Sequence, residues 1–558
     1  MKKYIGFFAL ALMLLSGLPL LADNNTTSDD AAIVRNLDIF NSLYRELTTY
    51  YVDTLNAERT IENAINAMLD DIDPYTEYIP AKDMNDFNVV STGQYGGIGS
   101  YIMQRTDSAA GVYISSPYEG SPAARAGLRP GDRIDVIDGD SVKGWSSDRV
   151  SSKLKGQAHT PLQITITRPY DPDSVKTFTI MRDNIKVNPV PYYGVVHGDM
   201  GYISLTTYNE ASASAVKEAV MELKNNPAVK GLVLDLRGNG GGLLESAVQI
   251  VGLFVPKGTQ VVMTRSREKS SEKVYKTTSD PIDTRIPLVV LVDGGTASSS
   301  EITAGALQDL DRAVIVGSRS FGKGLVQTTR PLPFDGTLKV TISKYYIPSG
   351  RLIQEVDYAQ RNADGSYKRN ADSLAHVFHT AHGREVRDGG GITPDVKVEP
   401  IEPTRLVYNI VRDQWAFDYA TRFAATHPSI ATPDKFEIDD SIWNDFKRFI
   451  DPSRFNYDRV CENGLKQLRE LAKTEGYAND ETAEAFDKLE TLLKHDLDHD
   501  LDLHREIISK YLAQEILDRY YFVRGQVEYS VRHDKAIDEA HRVLADPAQW
   551  ARTLGLKK

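Results

Sequence analysis

Between residues 200 and 398, short apolar runs of strand length alternate with stretches of helical periodicity, and no other feature of the sequence narrows the fold so far. Strands are expected at 201–205, 231–236, 287–292 and 313–317, with helices at 212–225, 243–254 and 299–310. Alternating units of this kind pack as an α/β layer with mostly parallel strands. Loops leaving the carboxyl ends of such strands meet at one edge of the sheet, where ligands bind. Residues 354–391 are polar, carry Asn362-Ala363-Asp364-Gly365 and end in Gly389-Gly390-Gly391, so they read as an excursion from this core.

The flanks follow other periods. Residues 31–70 place Ile33, Leu37, Phe40, Leu43 and Leu47, then Ile61, Ile65, Met68 and Leu69, at helical spacing, and Asp73-Pro74 closes the run. From 94 to 182 the pattern shortens to β-type segments broken by Gly and Pro, with one helical signal at 122–126. Beyond Pro403 the chain reads as helix, interrupted at His427-Pro428, Asp451-Pro452 and Gly476. A chain of 558 residues has room for three or four domains at about 150 each. The expected division is a signal peptide at 1–22, a helical region at 31–92, a β-rich module at 93–185, the α/β core at 186–402 and an all-α domain at 403–558.

Lys2 and Lys3 precede an apolar run at 7–21, the pattern of a secretory signal ending at Ala22. Leu20 occupies the −3 position where a small side chain is wanted, so an uncleaved anchor is the alternative. Either way the protein is expected to be exported, to a periplasm or cell envelope. The excess of 77 acidic over 65 basic residues, a net charge of −12, disfavours nucleic acid as a partner. Cys461 is the sole cysteine, which excludes an intrachain disulfide and CxxC metal sites. His376, His379 and His382, and the set His495, His499 and His504, read as solvated faces, and no metal or organic cofactor is expected.

Three small-residue loops follow predicted core strands. Asp293-Gly294-Gly295-Thr296-Ala297-Ser298-Ser299-Ser300-Glu301 leads into a helix, and a serine at a helix mouth lies beside unpaired N–H groups suited to an oxyanion. The competing explanation is a capping box, in which Ser298 and Glu301 merely close the helix end. Gly317-Ser318-Arg319-Ser320-Phe321-Gly322-Lys323-Gly324 nearly fits a phosphate-binding loop, but Gly324 replaces the Ser or Thr of that motif, and a β-type run follows in place of a helix. Lys323 can instead act as a base if desolvation lowers its pKa from about 10.4 toward 7 to 8. Gln327, four residues on, shares its face in either a strand or a helix and can orient the amine. In the third loop, Asp235-Leu236-Arg237-Gly238-Asn239-Gly240-Gly241-Gly242, consecutive glycines let backbone N–H groups approach a ligand closely.

With these residues in place the chain resembles the carboxyl-terminal processing proteases, S41-type serine peptidases with an embedded PDZ domain. The matching segments run from Asp71-Ile72-Asp73-Pro74-Tyr75-Thr76-Glu77-Tyr78 to Gly391-Ile392-Thr393-Pro394-Asp395-Val396 and include Ile347-Pro348-Ser349-Gly350-Arg351. The resemblance implies a multidomain α/β and α+β protein: an N-terminal helical region, a β-rich PDZ domain, a crotonase/ClpP-like protease core and an all-α C-terminal domain. It makes Ser298 the nucleophile, Lys323 the base and Gln327 its support. Ser299, Gly241 and Gly242 become oxyanion donors, with Asp309 and Glu301 as supporting residues. Thr296 and Ser299 depart from the commonest family letters. Tyr95-Gly96-Gly97-Ile98-Gly99 is similar to a PDZ carboxylate-binding loop, which assigns Gly97, Ile98 and Gly99 to peptide binding, and Gly120-Ser121-Pro122-Ala123-Ala124-Arg125-Ala126-Gly127-Leu128 is similar to the segment most typical of that domain. The implied activity is endoproteolysis near protein C-termini, with the PDZ domain engaging the free C-terminus of a protein or peptide substrate. A catalytically silent PDZ scaffold is the alternative, and adaptor proteins and homo-oligomers remain open as partners.

Overall fold

The computed structural model describes residues 26–105, 111–400, 402–455, 460–494 and 496–556. The expected signal peptide at 1–22 lies outside the described residues. No helix among the described residues is long and apolar enough to cross a membrane. The chain divides into two compact units, Met1–Tyr78 and Ile79–Lys558. In the first, helices α1 (Thr26–Tyr50) and α2 (Ala57–Asp70) follow the two expected periodic stretches, and Asn56 caps α2 by accepting from Arg59 N–H.

The second unit begins with α3 (Met84–Thr92), then β1 (Gln94–Gly97), β2 (Ser100–Gln104), β3 (Val112–Pro117), α4 (Pro122–Ala126), β4 (Arg133–Ile137), α5 (Ser147–Leu154), β5 (Pro161–Thr167), β6 (Val175–Met181) and β7 (Asp183–Lys186). Strands β2 to β6 form an antiparallel sheet in the order β2-β3-β4-β5-β6, and β1 pairs with β7. Alternation of apolar and polar residues along β5 turns Leu162, Ile164 and Ile166 inward, where they pack with Ile114, Ile134 and Val150. Helix α5 was not foreseen. Its apolar pattern consists of Val150 and Leu154 alone, too few for periodicity to register.

The core sheet runs β8 (Tyr192–Val196), β9 (Met200–Ser204), β10 (Gly231–Asp235), β13 (Leu288–Val292), β14 (Val314–Gly317) and β21 (Val396–Lys397), taken in spatial order. Only the β8–β9 pair is antiparallel. Helices α6 (Ser212–Asn225), α7 (Leu244–Val251) and α8 (Ser299–Asp309) cover one face. Every residue of β10, β13 and β14 is buried, which explains their continuous apolar sequences: a parallel sheet is covered on both sides. A second, antiparallel sheet places β15 (Leu325–Pro331), β16 (Thr337–Tyr346), β11 (Gln260–Ser266) and β12 (Lys273–Lys276) side by side. The sequence reading recognised only β15 of this sheet. The excursion forms two hairpins, β17 (Val356–Arg361) with β18 (Tyr367–Arg369) and β19 (Val377–His379) with β20 (Glu385–Arg387).

The C-terminal region consists of α9 (Arg405–Arg412), α10 (Trp415–Thr426), α11 (Asp440–Phe449), α12 (Val460–Thr474), α13 (Asp480–Leu492), α14 (Leu497–Leu503), α15 (Arg505–Ser530), α16 (Lys535–Ala545) and α17 (Pro547–Thr553). Most of its core is its own, centred on Trp443, Phe446, Tyr419 and Leu512. Its last helices do something else. Ile537, Ala540, Val543 and Leu544 of α16 pack on Tyr202, Val233, Val289 and Val316, so α16 is the second cover of the parallel sheet.

Candidate active site

Three turns at the carboxyl edge of the parallel sheet bring the expected residues together. Ser298 joins β13 to α8 with φ 57° and ψ −118°, a conformation that L-residues avoid and that tertiary contacts must hold. Ser298 and Glu301 take up the capping-box arrangement, but the serine hydroxyl makes no aligned hydrogen bond to the helix. The aligned bond runs the other way, from Ser298 N–H to Glu301 Oε2 at 2.9 Å. The Ser298 side chain is half-buried while its neighbours Ala297, Ser299 and Ser300 are buried.

Glu301 ties this turn to the lysine loop. Its Oε2 also accepts Lys323 N–H at 2.9 Å, and its Oε1 accepts Ser320 Oγ–H at 2.5 Å and Gly322 N–H at 2.7 Å. One carboxylate oxygen thus holds the backbone N–H groups of both Ser298 and Lys323. The group has no solvent exposure, and burial pushes its pKa up to about 7 even though all four donors favour the ionised form. Lys323 is half-buried in this turn. It lies two residues before β15, and where the ladder shifts register between Val326 and Gln327 the extra residue is Ile342 on β16, so β15 itself runs on without an insertion. Gln327 donates from Nε2 to Thr341 Oγ1 on β16 at 3.0 Å.

The glycine loop after β10 closes the third side. Gly241 has φ 96°, and a Cβ there would stand 2.8 Å from Ser298 Cβ and from the Ala297 carbonyl, and 2.9 Å from Ser299 N. Only glycine lets this chain pass so close to the serine turn. Gly241 N–H donates to Asn239 Oδ1 at 2.9 Å, and the Gly242 carbonyl accepts Ser299 Oγ–H at 2.8 Å. Ser299 N–H opens α8 and is one of the donors that a helix leaves without an intrahelical partner.

Asn239 and Tyr345 are the residues sequence reasoning missed. Asn239 is fully buried; its Nδ2 donates to Leu205 O at 2.7 Å, and its carbonyl accepts Ala297 N–H at 3.0 Å and Ser300 Oγ–H at 2.9 Å. It fastens the glycine loop to the serine loop, and a lone polar residue among glycines was the available signal. Tyr345 donates its hydroxyl to Ser298 O at 3.2 Å from a strand with no visible motif. Asp309 lies at the far end of α8, where it meets Arg351 Nη2 and Ser349 N–H at 2.9 Å each. Burial pushes its carboxyl up against the pull of the guanidinium. Of the histidines, His382 turns to Asp311 and His376 to Asp388, and among the described residues no group of acidic, histidine or cysteine side chains could hold a metal ion.

In the β-rich domain, β2 is the sheet edge, with β3 as its partner. A pocket of about 30 Å³ lies between β2 and α5, lined by Tyr95, Ile98, Gly99, Ile102, Ser151 and Leu154 among others. Ile98 is buried and Gly99 has φ 72°, while Gly97 ends β1 beside them. An exposed edge strand beside a helix is a geometry that accepts an extended peptide as an extra strand.

Comparison with known proteins agrees with this architecture. Residues 199–359 match peptidase family S41, residues 113–168 match the PDZ domain, and residues 406–544 match the "Probable PDZ-protease, C-terminal helical domain" family. A carboxy-terminal-processing protease of Bartonella bacilliformis is 36% identical over 359 residues, covering 64% of this chain and 81% of that protein. The chain belongs to the carboxy-terminal-processing proteases. A probable CtpA-like serine protease of Staphylococcus aureus is 30% identical over 468 residues, 83% of each chain. Among solved structures, a photosystem II D1 C-terminal processing protease aligns at 30% identity and a TM-score of 0.35, covering 65% of this chain and 88% of that one. The protein is accordingly an S41 serine peptidase with a PDZ domain and a helical C-terminal domain.

Proposed function

We propose that this processing protease is exported and cleaves proteins near their C-termini with a Ser298–Lys323 dyad. Neutral Lys323 accepts the Ser298 hydroxyl proton, the alkoxide attacks a peptide carbonyl, and the tetrahedral oxyanion is met by Ser299 N–H and by the turn at 240–242. The lysine then returns the proton to the leaving amine, and water hydrolyses the acyl-enzyme. Gln327 supports the lysine, and the loop at Gly97, Ile98 and Gly99 receives the terminal carboxylate while β2 pairs with the substrate chain.

The observation that carries this reading is the shared Glu301 oxygen, which keeps the nucleophile and base loops in register at their backbones. A serine-directed fluorophosphonate probe tests it. The wild-type protein is expected to be labelled, and Ser298→Ala and Lys323→Ala are expected not to be. Equal labelling of Ser298→Ala would refute the assignment.

A further inference from the structure

The peptide unit between Ser298 and Ser299 carries two groups that matter to the reaction: the Ser298 carbonyl and, pointing the opposite way, the Ser299 N–H. Its carbonyl accepts the Tyr345 hydroxyl at 3.2 Å and Ile302 N–H at 2.9 Å. Tyr345 is 1% exposed, and its own N–H donates to the carbonyl of Gly324, the neighbour of Lys323, at 2.9 Å. One residue therefore links the lysine loop, through its backbone, to the strained serine turn, through its side chain.

We infer that Tyr345 is a positioning residue for the oxyanion: by fixing the Ser298 carbonyl it aims and polarises the Ser299 N–H toward the reacting carbonyl oxygen. This rests on the reading of Ser299 N–H as an oxyanion donor. Ser298 has φ 57°, outside the well that helix geometry would impose, so Ile302 N–H alone leaves the tilt of this peptide plane poorly determined. A hydrogen bond to one end of an amide also strengthens donation from the other end. The neighbouring Gly241 N–H is engaged with Asn239, which concentrates the demand on Ser299.

Tyr345→Phe isolates the effect, because the ring, its packing and the bond from its N–H to Gly324 remain. Losing an oxyanion donor outright costs about 100- to 1,000-fold in kcat, and losing the aim of one is expected to cost about tenfold. The measurements are kcat and KM for hydrolysis of fluorescein-labelled casein, the inhibition constant of a tripeptide boronic acid whose adduct carries the tetrahedral charge, and the thermal unfolding midpoint. The expected result is a kcat about tenfold lower, an inhibition constant weakened by a similar factor, and KM and the unfolding midpoint close to wild type. Wild-type kcat and boronate affinity in the variant would overturn the inference, as would a loss of activity that tracks a loss of folded protein. Ser298→Ala separates the two levels: if it keeps turnover, the catalytic reading itself fails; if it is inactive while Tyr345→Phe behaves as wild type, only the role of Tyr345 fails.

Discussion

Replacing Glu301 tests whether the serine and lysine loops are held by one carboxylate. Its ordinary pKa of 4.5 rises to about 7 in the folded protein. A raised folded value means that the contribution to stability is complete below about pH 4.5 and is lost as pH rises through 7, by about 3 kcal/mol in all. Glutamine cannot ionise, so Glu301→Gln is expected to flatten this slope. Its amide nitrogen has one tolerable place. Ser320 Oγ is the only partner able to accept, so the nitrogen turns toward Ser320 and Gly322, and the remaining oxygen keeps Ser298 N–H and Lys323 N–H. The loss is then the Gly322 bond, about 1–3 kcal/mol, visible at pH 5 and largely offset at pH 8 by removal of the buried charge. Glu301→Ala leaves four donors without an acceptor and releases the strained φ of Ser298, at a cost of about 3–5 kcal/mol. It is expected to lower kcat at least a hundredfold, whereas Gln stays within about tenfold of wild type. Urea unfolding from pH 5 to 8, run beside turnover of labelled casein, reads both effects. Parallel stability slopes for wild type and Gln, or undiminished kcat in Ala, would refute the reasoning.

Lys323→Arg is expected to abolish cleavage with the unfolding midpoint unchanged, because a guanidinium keeps its charge at any accessible pH; near-normal turnover of labelled casein by the variant would remove Lys323 from the role of base. Gly241→Ala forces a Cβ to 2.8 Å from Ser298 Cβ at a φ of 96°, so it is expected to reduce kcat by about a hundredfold or more while costing about 1–3 kcal/mol in a denaturation assay. Between the PDZ domain and α15, Ser116 Oγ donates to Asp518 Oδ1 at 2.9 Å, and burial pushes that carboxyl up to about 6 despite Arg519 beside it. Its stabilising contribution is present below about pH 4 and lost through pH 6, so Asp518→Asn is expected to gain about 1–2 kcal/mol at pH 7.5 and little at pH 4, checked by urea unfolding at both.

What the sequence made legible follows from local chemistry. The helix expected at 212–225 is α6, and the serine turn is found where a strand meets a helix because β13 is uniformly apolar and Asp293-Gly294-Gly295 ends it before Ser298 opens α8. The reading of helix to 254 overran α7, which ends at Val251, since Leu253 and Phe254 continue the apolar pattern from a turn and are buried there. Strand β16 was not named although Leu338, Val340 and Ile342 alternate with Lys339, Thr341 and Ser343, and the pattern misleads about its faces, since Ile342 is exposed while Ser343 and Tyr345 are buried. Tyr345 was lost with it. Side chains that act through a backbone carbonyl leave no motif, because the partner atom is common to every residue.

The C-terminal helices were read as a separate domain on composition, and their packing gives them a further place. A parallel sheet with apolar residues on both faces is incomplete until the second face is covered, and α6, α7 and α8 cover only one. Helix α16 supplies the other, and its N-cap Asp534 accepts Arg237 Nη1 at 2.6 Å. Arg237 also binds Asp235, the last residue of β10, so the start of the glycine loop beside Ser298 is anchored to a helix some three hundred residues further along the chain. The same C-terminal region grips the PDZ domain through Asp518 and through the Asp418–Arg105 ion pair. A continuous set of contacts therefore joins the PDZ domain to the start of the glycine loop through α15 and α16, apart from the PDZ–core linker.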